Sequence, residues 1–238
     1  MPGTLSEKPL ILSIETAATV CSTALHQGGT LVGLSEVFTD KSHSRVLVPM
    51  IQELLKSSGM SFRDLNAVAV SKGPGSYTGL RIGVSTAKGI SFALDLPLIG
   101  IGTLEGLAHQ YTVQPEVKNL LICPMLDARR MEVYTLLCQS DGTIVEPAHA
   151  KIITAESFRD YLESYSVVFL GPGSGKCRNM LENRRNSRVL SSIEPSAKSI
   201  GELALARYLK NEFENTASFE PFYLKDFIAG KPHVKGLK

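Results

Sequence analysis

The sequence predicts an α/β protein of two lobes made by duplication. Two nearly continuous apolar runs, Pro9 to Thr16 and Asn119 to Asp127, carry acids at their ends, Glu15 and Asp127. Such runs read as strands buried on both faces. Each run is followed by two further strand-like segments joined at a glycine turn, Gly28-Gly29 in one half and Asp141-Gly142 in the other. Each half then continues as helix, apolar strand, glycine-rich turn and helix, so the same order is written twice although the halves share little sequence. Mixed strand directions with helices on the faces give the α/β class. With 238 residues, 43% hydrophobic and 20% charged, two lobes of ordinary size can each bury a core. The aperiodic stretch VQPEV at 113–117 divides them, giving an N-terminal lobe at 1–112 and a C-terminal lobe at 118–238.

In the first lobe, Val20 to Gln27 and Thr30 to Phe38 form a meander with the first strand. Ser42 or Ser44 caps a helix that reaches Ser58 and stops at Gly59, with Leu47, Ile51, Leu54 and Leu55 on one face and Pro49 bending its second turn. The strand Ala67 to Ser71 runs into SKGPGSYTGLRIGVSTAKG, residues 71–89. There Gly73 and Gly75 flank Pro74, which forces a sharp turn, and Ser76 or Thr78 caps the next helix. A strand Leu98 to Ile101 and a short helix Leu104 to Tyr111 complete the lobe.

Inside the 71–89 stretch, Gly79, Gly83 and Ala87 recur every four residues and share one helix face. Interior glycine costs roughly 1 kcal/mol against alanine, so the stripe needs a reason. Close packing on its own sheet is one; close approach of a helix from another protein is the other. Val46 and Met50 lie off the Leu47, Ile51, Leu54 row, leaving the earlier helix with more apolar positions than one sheet face covers.

The second lobe reads as strands Asn119 to Asp127, Met131 to Cys138 and Thr143 to Ile153, then a helix capped by Thr154 and reaching Leu162. A strand Val167 to Leu170, the turn GPGSGK at 171–176 opening a short helix, and a long helix Ala197 to Phe213 follow. The apolar island Phe219 to Leu224 packs back on a lobe, and the basic end with Lys231, His233, Lys235 and Lys238 is a solvated terminus.

Several chemistries are excluded. GPGSGK is one residue short of a phosphate-binding Walker loop, and Cys177 replaces its Mg²⁺-binding hydroxyl. Ser76 and Ser174 lack the spacing of a nucleophile elbow, so both are caps. The five histidines form neither HExxH nor HxxxH, so no sequence-local metal site and no catalytic residue is assigned. His43, beside a helix N-terminus, is expected to be neutral or exposed. The four cysteines have no CxxC spacing, the N-terminus does not read as a signal peptide, and no run approaches about 18 apolar residues. A cytoplasmic protein with reduced thiols and no membrane contact is expected. A net charge of +2 announces no nucleic-acid surface, and the absence of Trp argues against base stacking. Asp127, Arg129 and Arg130 offer a carboxylate beside two cations, suited to a phosphate, RNA, a partner's acid or an internal ion pair.

A duplicated fold with an acid ending the first strand of each half resembles the actin, sugar-kinase and Hsp70 superfamily, of ribonuclease H-like lobes. That resemblance implies phosphates in the cleft between the lobes, near Glu15, Thr16, Gly73, Pro74, Gly75, Ser76, Asp127, Arg129 and Arg130. The extra methylene of Glu15 and the missing glycine of Glu15-Thr16-Ala17 argue against metal and nucleotide there.

The stretch Ser71 to Ala108 resembles the signature of the TsaB family, formerly described as glycoprotease-like. LSIET at 12–16, His43-Ser44 through Pro49, LDARRMEVY at 126–134 and PFYLK at 221–225 extend the likeness along most of the chain. At Glu15 the sequence departs from that family's usual aspartate. The resemblance implies a non-catalytic subunit of the machinery that forms N6-threonylcarbamoyladenosine at tRNA position 37 in tRNAs reading ANN codons. Its implied partners are the catalytic paralogue TsaD, the ATPase TsaE, and tRNA through the complex. No cofactor is intrinsic, and ATP/ADP and metal are expected on the partners. Two helices are then expected to pair with two of a partner, as a homodimer in isolation and with TsaD in the cell. The residues expected there are Val46, Leu47, Met50, Ile51, Leu54, Gly79, Ile82, Gly83, Thr86, Ala87 and Ile90. The competing reading is a nucleotide-dependent phosphotransferase, or a peptidase-like enzyme, that uses the cleft.

Overall fold

A computed structural model describes residues 6–38, 43–111 and 119–225. Strands β1 (Leu10–Glu15), β2 (Val20–Gln27) and β3 (Thr30–Phe38) are followed by α1 (His43–Ser57), β4 (Ala67–Gly73), α2 (Tyr77–Leu94), β5 (Leu98–Gly102) and α3 (Thr103–His109). The second series is β6 (Leu120–Asp127), β7 (Glu132–Gln139), β8 (Ile144–Ile152), α4 (Arg159–Ser164), β9 (Ser166–Leu170), α5 (Arg178–Leu181), β10 (Ser187–Leu190) and α6 (Ala197–Leu209).

The two five-stranded sheets have one topology. The orders are β3-β2-β1-β4-β5 and, read in the same sense, β8-β7-β6-β9-β10. In each, the first three strands are antiparallel and the last two run parallel to the first. This is the duplicated actin-like arrangement expected from the sequence. The Gly28-Gly29 hairpin has φ of 56° and 85°, the pair of positive values that a type I′ turn demands and that glycine supplies without strain.

Period-2 alternation assigns each strand two cores. Leu10, Leu12 and Ile14 of β1 face α1 and α2 together with Leu47, Ile51, Val84 and Ala87. Ile11, by contrast, faces Ile200, Ala204 and Tyr208 of α6 with Ala67, Ala69, Ile99 and Ile101. In β6, Leu121, Cys123 and Met125 face Phe158, Leu162 of α4 and Leu181 of α5, while Ile122 and Leu126 face Leu104 and Leu107 of α3. The chain therefore stacks five layers: α1 and α2, the first sheet, α3 with α6, the second sheet, α4 and α5. The middle helices are exchanged, since α3 follows the first sheet and packs on the second, and α6 does the reverse. They meet at Gly106, where a Cβ would lie 2.8 Å from Ile200 Cδ1.

That exchange corrects the reading of 118–238 as one lobe, because α6 and the segment after it belong to the first sheet. Glu214 bridges to Leu98, the Phe222 N–H donates to the Lys72 carbonyl at 2.6 Å, and Phe219 joins the first core. The proposed divide at 113–117 and the basic end fall outside the described residues. Thr154 does not cap a helix to Leu162. It starts a turn closed by the Ser157 N–H onto its carbonyl, Phe158 takes φ of 62°, and α4 is only six residues long. Strand β10, made of SRVL, was not foreseen, and α6 ends at Leu209 rather than Phe213, near the left-handed Asn211.

Candidate functional site

The end of β1, the glycine turn after β4 and the start of α2 meet at the place where the superfamily resemblance implies a phosphate. Ser76 caps α2, its Oγ accepting from the Gly79 N–H at 3.3 Å. The Ser76 N–H, at the helix N-terminus, donates to the Ala17 carbonyl at 2.7 Å. A backbone donor that would face an anion is thus satisfied by the chain's own first loop. Thr16 Oγ1 donates to the Gly79 carbonyl at 2.8 Å and pins the same loop to α2.

The glycines are small because of this contact. A Cβ at Gly75 would lie 2.6 Å from Ala17, at Gly79 2.0 Å from the Thr16 carbonyl oxygen, and at Gly83 2.2 Å from Thr16 Oγ1. Ala87 is fully buried in the first core. The stripe Gly79, Gly83 and Ala87 faces its own sheet, so close internal packing is the correct reading, and these three side-chain positions are not surface. Pro74 follows a cis peptide bond, and Gly73, at φ 115°, lies against the Phe222 carbonyl oxygen, so the tail lies directly on the turn.

Glu15 is fully buried. Its Oε1 accepts from the Ala17 N–H at 2.6 Å and the Ser71 hydroxyl at 2.7 Å, while Oε2 has no partner among the described residues. Burial pushes this carboxyl up to about 7, against hydrogen bonds from Ala17, Ser71 and Thr16 that pull it down. Both hydrogen bonds to Oε1 tie this carboxyl to the first loop and to β4.

The second lobe repeats the pattern. The Gly173 N–H donates to the Met125 carbonyl at 2.9 Å, and a Cβ at Gly173 would lie 2.6 Å from the Leu126 carbonyl carbon. Asp127 is exposed and pairs with Lys176 at 2.6 Å, and it also accepts from the Arg129 N–H at 2.6 Å. The internal ion pair therefore uses Lys176, from the GPGSGK turn, and not the arginine side chains. Lys176 also donates to the Glu132 carbonyl at 2.6 Å, and Lys225 pairs with the Glu132 carboxylate, linking the tail to the second lobe. Arg129 and Arg130 are exposed at φ of 70° and 49°, their side chains without ion pairs among the described residues. No group of three metal-ligating side chains occurs among the described residues, and no helix among them is long and apolar enough to cross a membrane. His43, expected neutral or exposed, is buried in α1.

The outer face of α1 and α2 also differs from expectation. Leu47, Met50, Ile51 and Leu54 are buried in the chain's own core and present no side chain to a partner. Val46, Ile82, Thr86 and Ile90 are half-buried at the rim of that core. Sequence reasoning missed Val48, 44% exposed, and Phe92, 84% exposed. The signal was present, since each is apolar yet lies outside the buried helical row. Beside Phe92, a Cβ at Gly89 would meet nothing within 4 Å.

A family model described as "TsaD: tRNA N6-adenosine threonylcarbamoyltransferase" matches residues 34–232. The Escherichia coli K12 "tRNA threonylcarbamoyladenosine biosynthesis protein TsaB" is 30% identical over 227 residues, 93% of this chain and 96% of that protein. The Bacillus subtilis 168 protein of the same name is 33% identical over 180 residues, 73% and 75% of the two chains. A relative named as the transferase itself, from Koribacter versatilis, matches only 42% of this chain and 30% of its own length, at 34% identity. The solved structure of YeaZ from Pseudomonas aeruginosa superposes with a TM-score of 0.77 at 25% identity, covering 91% of this chain and all of that one. End-to-end correspondence thus goes with the TsaB-named relatives and only partial correspondence with the transferase, and this chain belongs to the TsaB family of tRNA threonylcarbamoyladenosine biosynthesis proteins.

Proposed function

We propose that the chain is a non-catalytic subunit that binds and activates a TsaD-type threonylcarbamoyltransferase. The observation that carries this reading is the filled phosphate position: Ala17 occupies the Ser76 amide, Thr16 occupies the space over Gly79 and Gly83, and Lys176 is engaged by Asp127 and Glu132. A fold that keeps its two lobes while closing this position onto itself suits recognition better than turnover. Nucleotide and metal are then held by partners, TsaD and the ATPase TsaE, and tRNA is met through the assembly, in the cytoplasm.

The surface proposed for TsaD is the outer face of α1 and α2, also used between two copies when the chain is alone. Its contacting side chains are Val46, Val48, Ile82, Thr86, Ile90 and Phe92. The buried Leu47, Met50, Ile51, Leu54, Gly79, Gly83 and Ala87 set the height and spacing of the two helices from beneath. Fully covering an exposed Phe contributes about 1.5–3 kcal/mol, and an aromatic anchor of this kind is a typical interface hot spot. Co-purification with TsaD tests the surface. Phe92→Glu and Val48→Glu should each abolish the complex while thermal unfolding is unchanged, and retention of the complex by both variants would place the interface elsewhere.

A further inference from the structure

Duplication gives this molecule two equivalent outer faces, and they differ in chemistry. On the first sheet, α1 and α2 present Val48 and Phe92. On the second, α4, α5 and the turn before β10 present arginines: Arg159, Arg178, Arg184 and Arg185. We infer that this second outer face binds the phosphodiester backbone of RNA.

An open depression of about 410 Å³ lies there, lined by Arg159, Leu162, Glu163, Arg184, Arg185 and Asn186. Three of those side chains are cations and one is an acid. Arg159 and Arg185 are exposed, and their guanidinium groups form no ion pair or hydrogen bond among the described residues. Arg178 is set apart from them by its pairing with Glu182.

The loop that carries the arginines is held firmly. Asn186 sits at φ 64°, its Nδ2 donates to the Leu162 carbonyl at 3.0 Å, and its carbonyl accepts from the Val167 N–H at 2.8 Å. Arg184 donates to the Ser157 carbonyl, tying the loop to the turn before α4. Residues 184–186 are therefore positioned before any ligand arrives, which reduces the ordering cost of binding.

Guanidinium groups engage phosphate oxygens through paired N–H donors, and a polyanion gains further from counterion release. The depression is wide and open, suited to a backbone crossing it more than to a small ligand enclosed by it. The choice of RNA over another polyanion rests on the chain's membership in a tRNA-modification family, and the site itself rests on the arginines.

Fluorescence anisotropy with an unmodified tRNA transcript tests it, using the full chain alone and mixed with TsaD between 50 and 200 mM salt. The wild type should bind with a steep salt dependence. The double variant Arg159→Glu/Arg185→Glu should weaken binding at least about tenfold at the low-salt end and lower the log–log salt slope by about 2, one per lost contact. Arg159→Glu alone should do half as much, and Lys210→Glu, exposed after α6 and away from both outer faces, should change nothing. Circular dichroism and co-purification with TsaD should be unaffected in both arginine-face variants, so failure of the activator reading appears in the pull-down and failure of this inference in the anisotropy. Absence of salt-dependent tRNA binding in both settings, wild-type binding by the double variant, or binding of polyglutamate in place of tRNA would each overturn it.

Discussion

Glu15→Gln isolates the buried carboxyl at the end of β1. The substitution keeps the side chain's shape and its acceptor toward the Ala17 N–H and Ser71, but it removes the proton equilibrium. In the unfolded chain the carboxyl gives up its proton near the ordinary value of 4.5, whereas in the fold it holds it to about 7. Between those values the native state binds more protons, so this group's contribution to stability is complete below pH 4.5, declines with rising pH, and is lost once the pH passes the folded value. At roughly 1.4 kcal/mol per pH unit, the loss amounts to about 3 kcal/mol. Urea denaturation of wild type and Glu15→Gln at matched pH values measures the difference, and the other carboxylates cancel in the comparison. The variant should gain about 3 kcal/mol on the wild type between pH 4.5 and pH 8. A difference that stays constant across that range would refute a carboxyl whose charge is disfavoured by burial.

Further outcomes follow from the packing. Gly83→Ala should cost about 1–3 kcal/mol by driving a methyl into Thr16, while Gly89→Ala, with open space around it, should stabilise by up to about 1 kcal/mol; thermal unfolding of the pair reads both. The four cysteines are all buried, and burial raises their thiols, Cys21 and Cys138 to about 11. A thiol reagent at pH 8 should therefore label none in the native protein and all four in urea. Phe92→Glu and Val48→Glu should lose TsaD in co-purification, as set out above, and neither should lower the melting temperature because both side chains lie outside the core.

The sequence exposed the elements because their periodicities are strong. Leu10, Leu12 and Ile14 alternate with Ile11 and Ser13 in a strand buried on both sides, and the α1 row of Leu47, Ile51 and Leu54 repeats at helical spacing. The exchange of α3 and α6 between sheets was hidden, since an apolar helix face does not say which sheet it covers. Strand β10 was hidden for another reason: it follows Arg184-Arg185-Asn186, and only Val189 of its four residues is buried. The glycine stripe was ambiguous in principle, because small residues admit any close neighbour; the Thr16 carbonyl and hydroxyl decide it. Of the residues expected at the cleft, Glu15, Thr16 and Ser76 join one network through Ala17, Ser71 and Gly79, partners that a sequence does not reveal. The arginine face is not legible in the sequence, because Arg159 and Arg184-Arg185 lie far apart along the chain and are brought together by the Arg184–Ser157 and Asn186–Leu162 contacts.

The central claim, a chain that binds a catalyst and does not itself use nucleotide, is tested most directly by paired calorimetric titrations of the purified protein. Mg-ATP should give no saturable heat and no turnover, and TsaD should give a saturable isotherm that Phe92→Glu removes. Micromolar Mg-ATP binding with hydrolysis by the isolated chain would contradict the account.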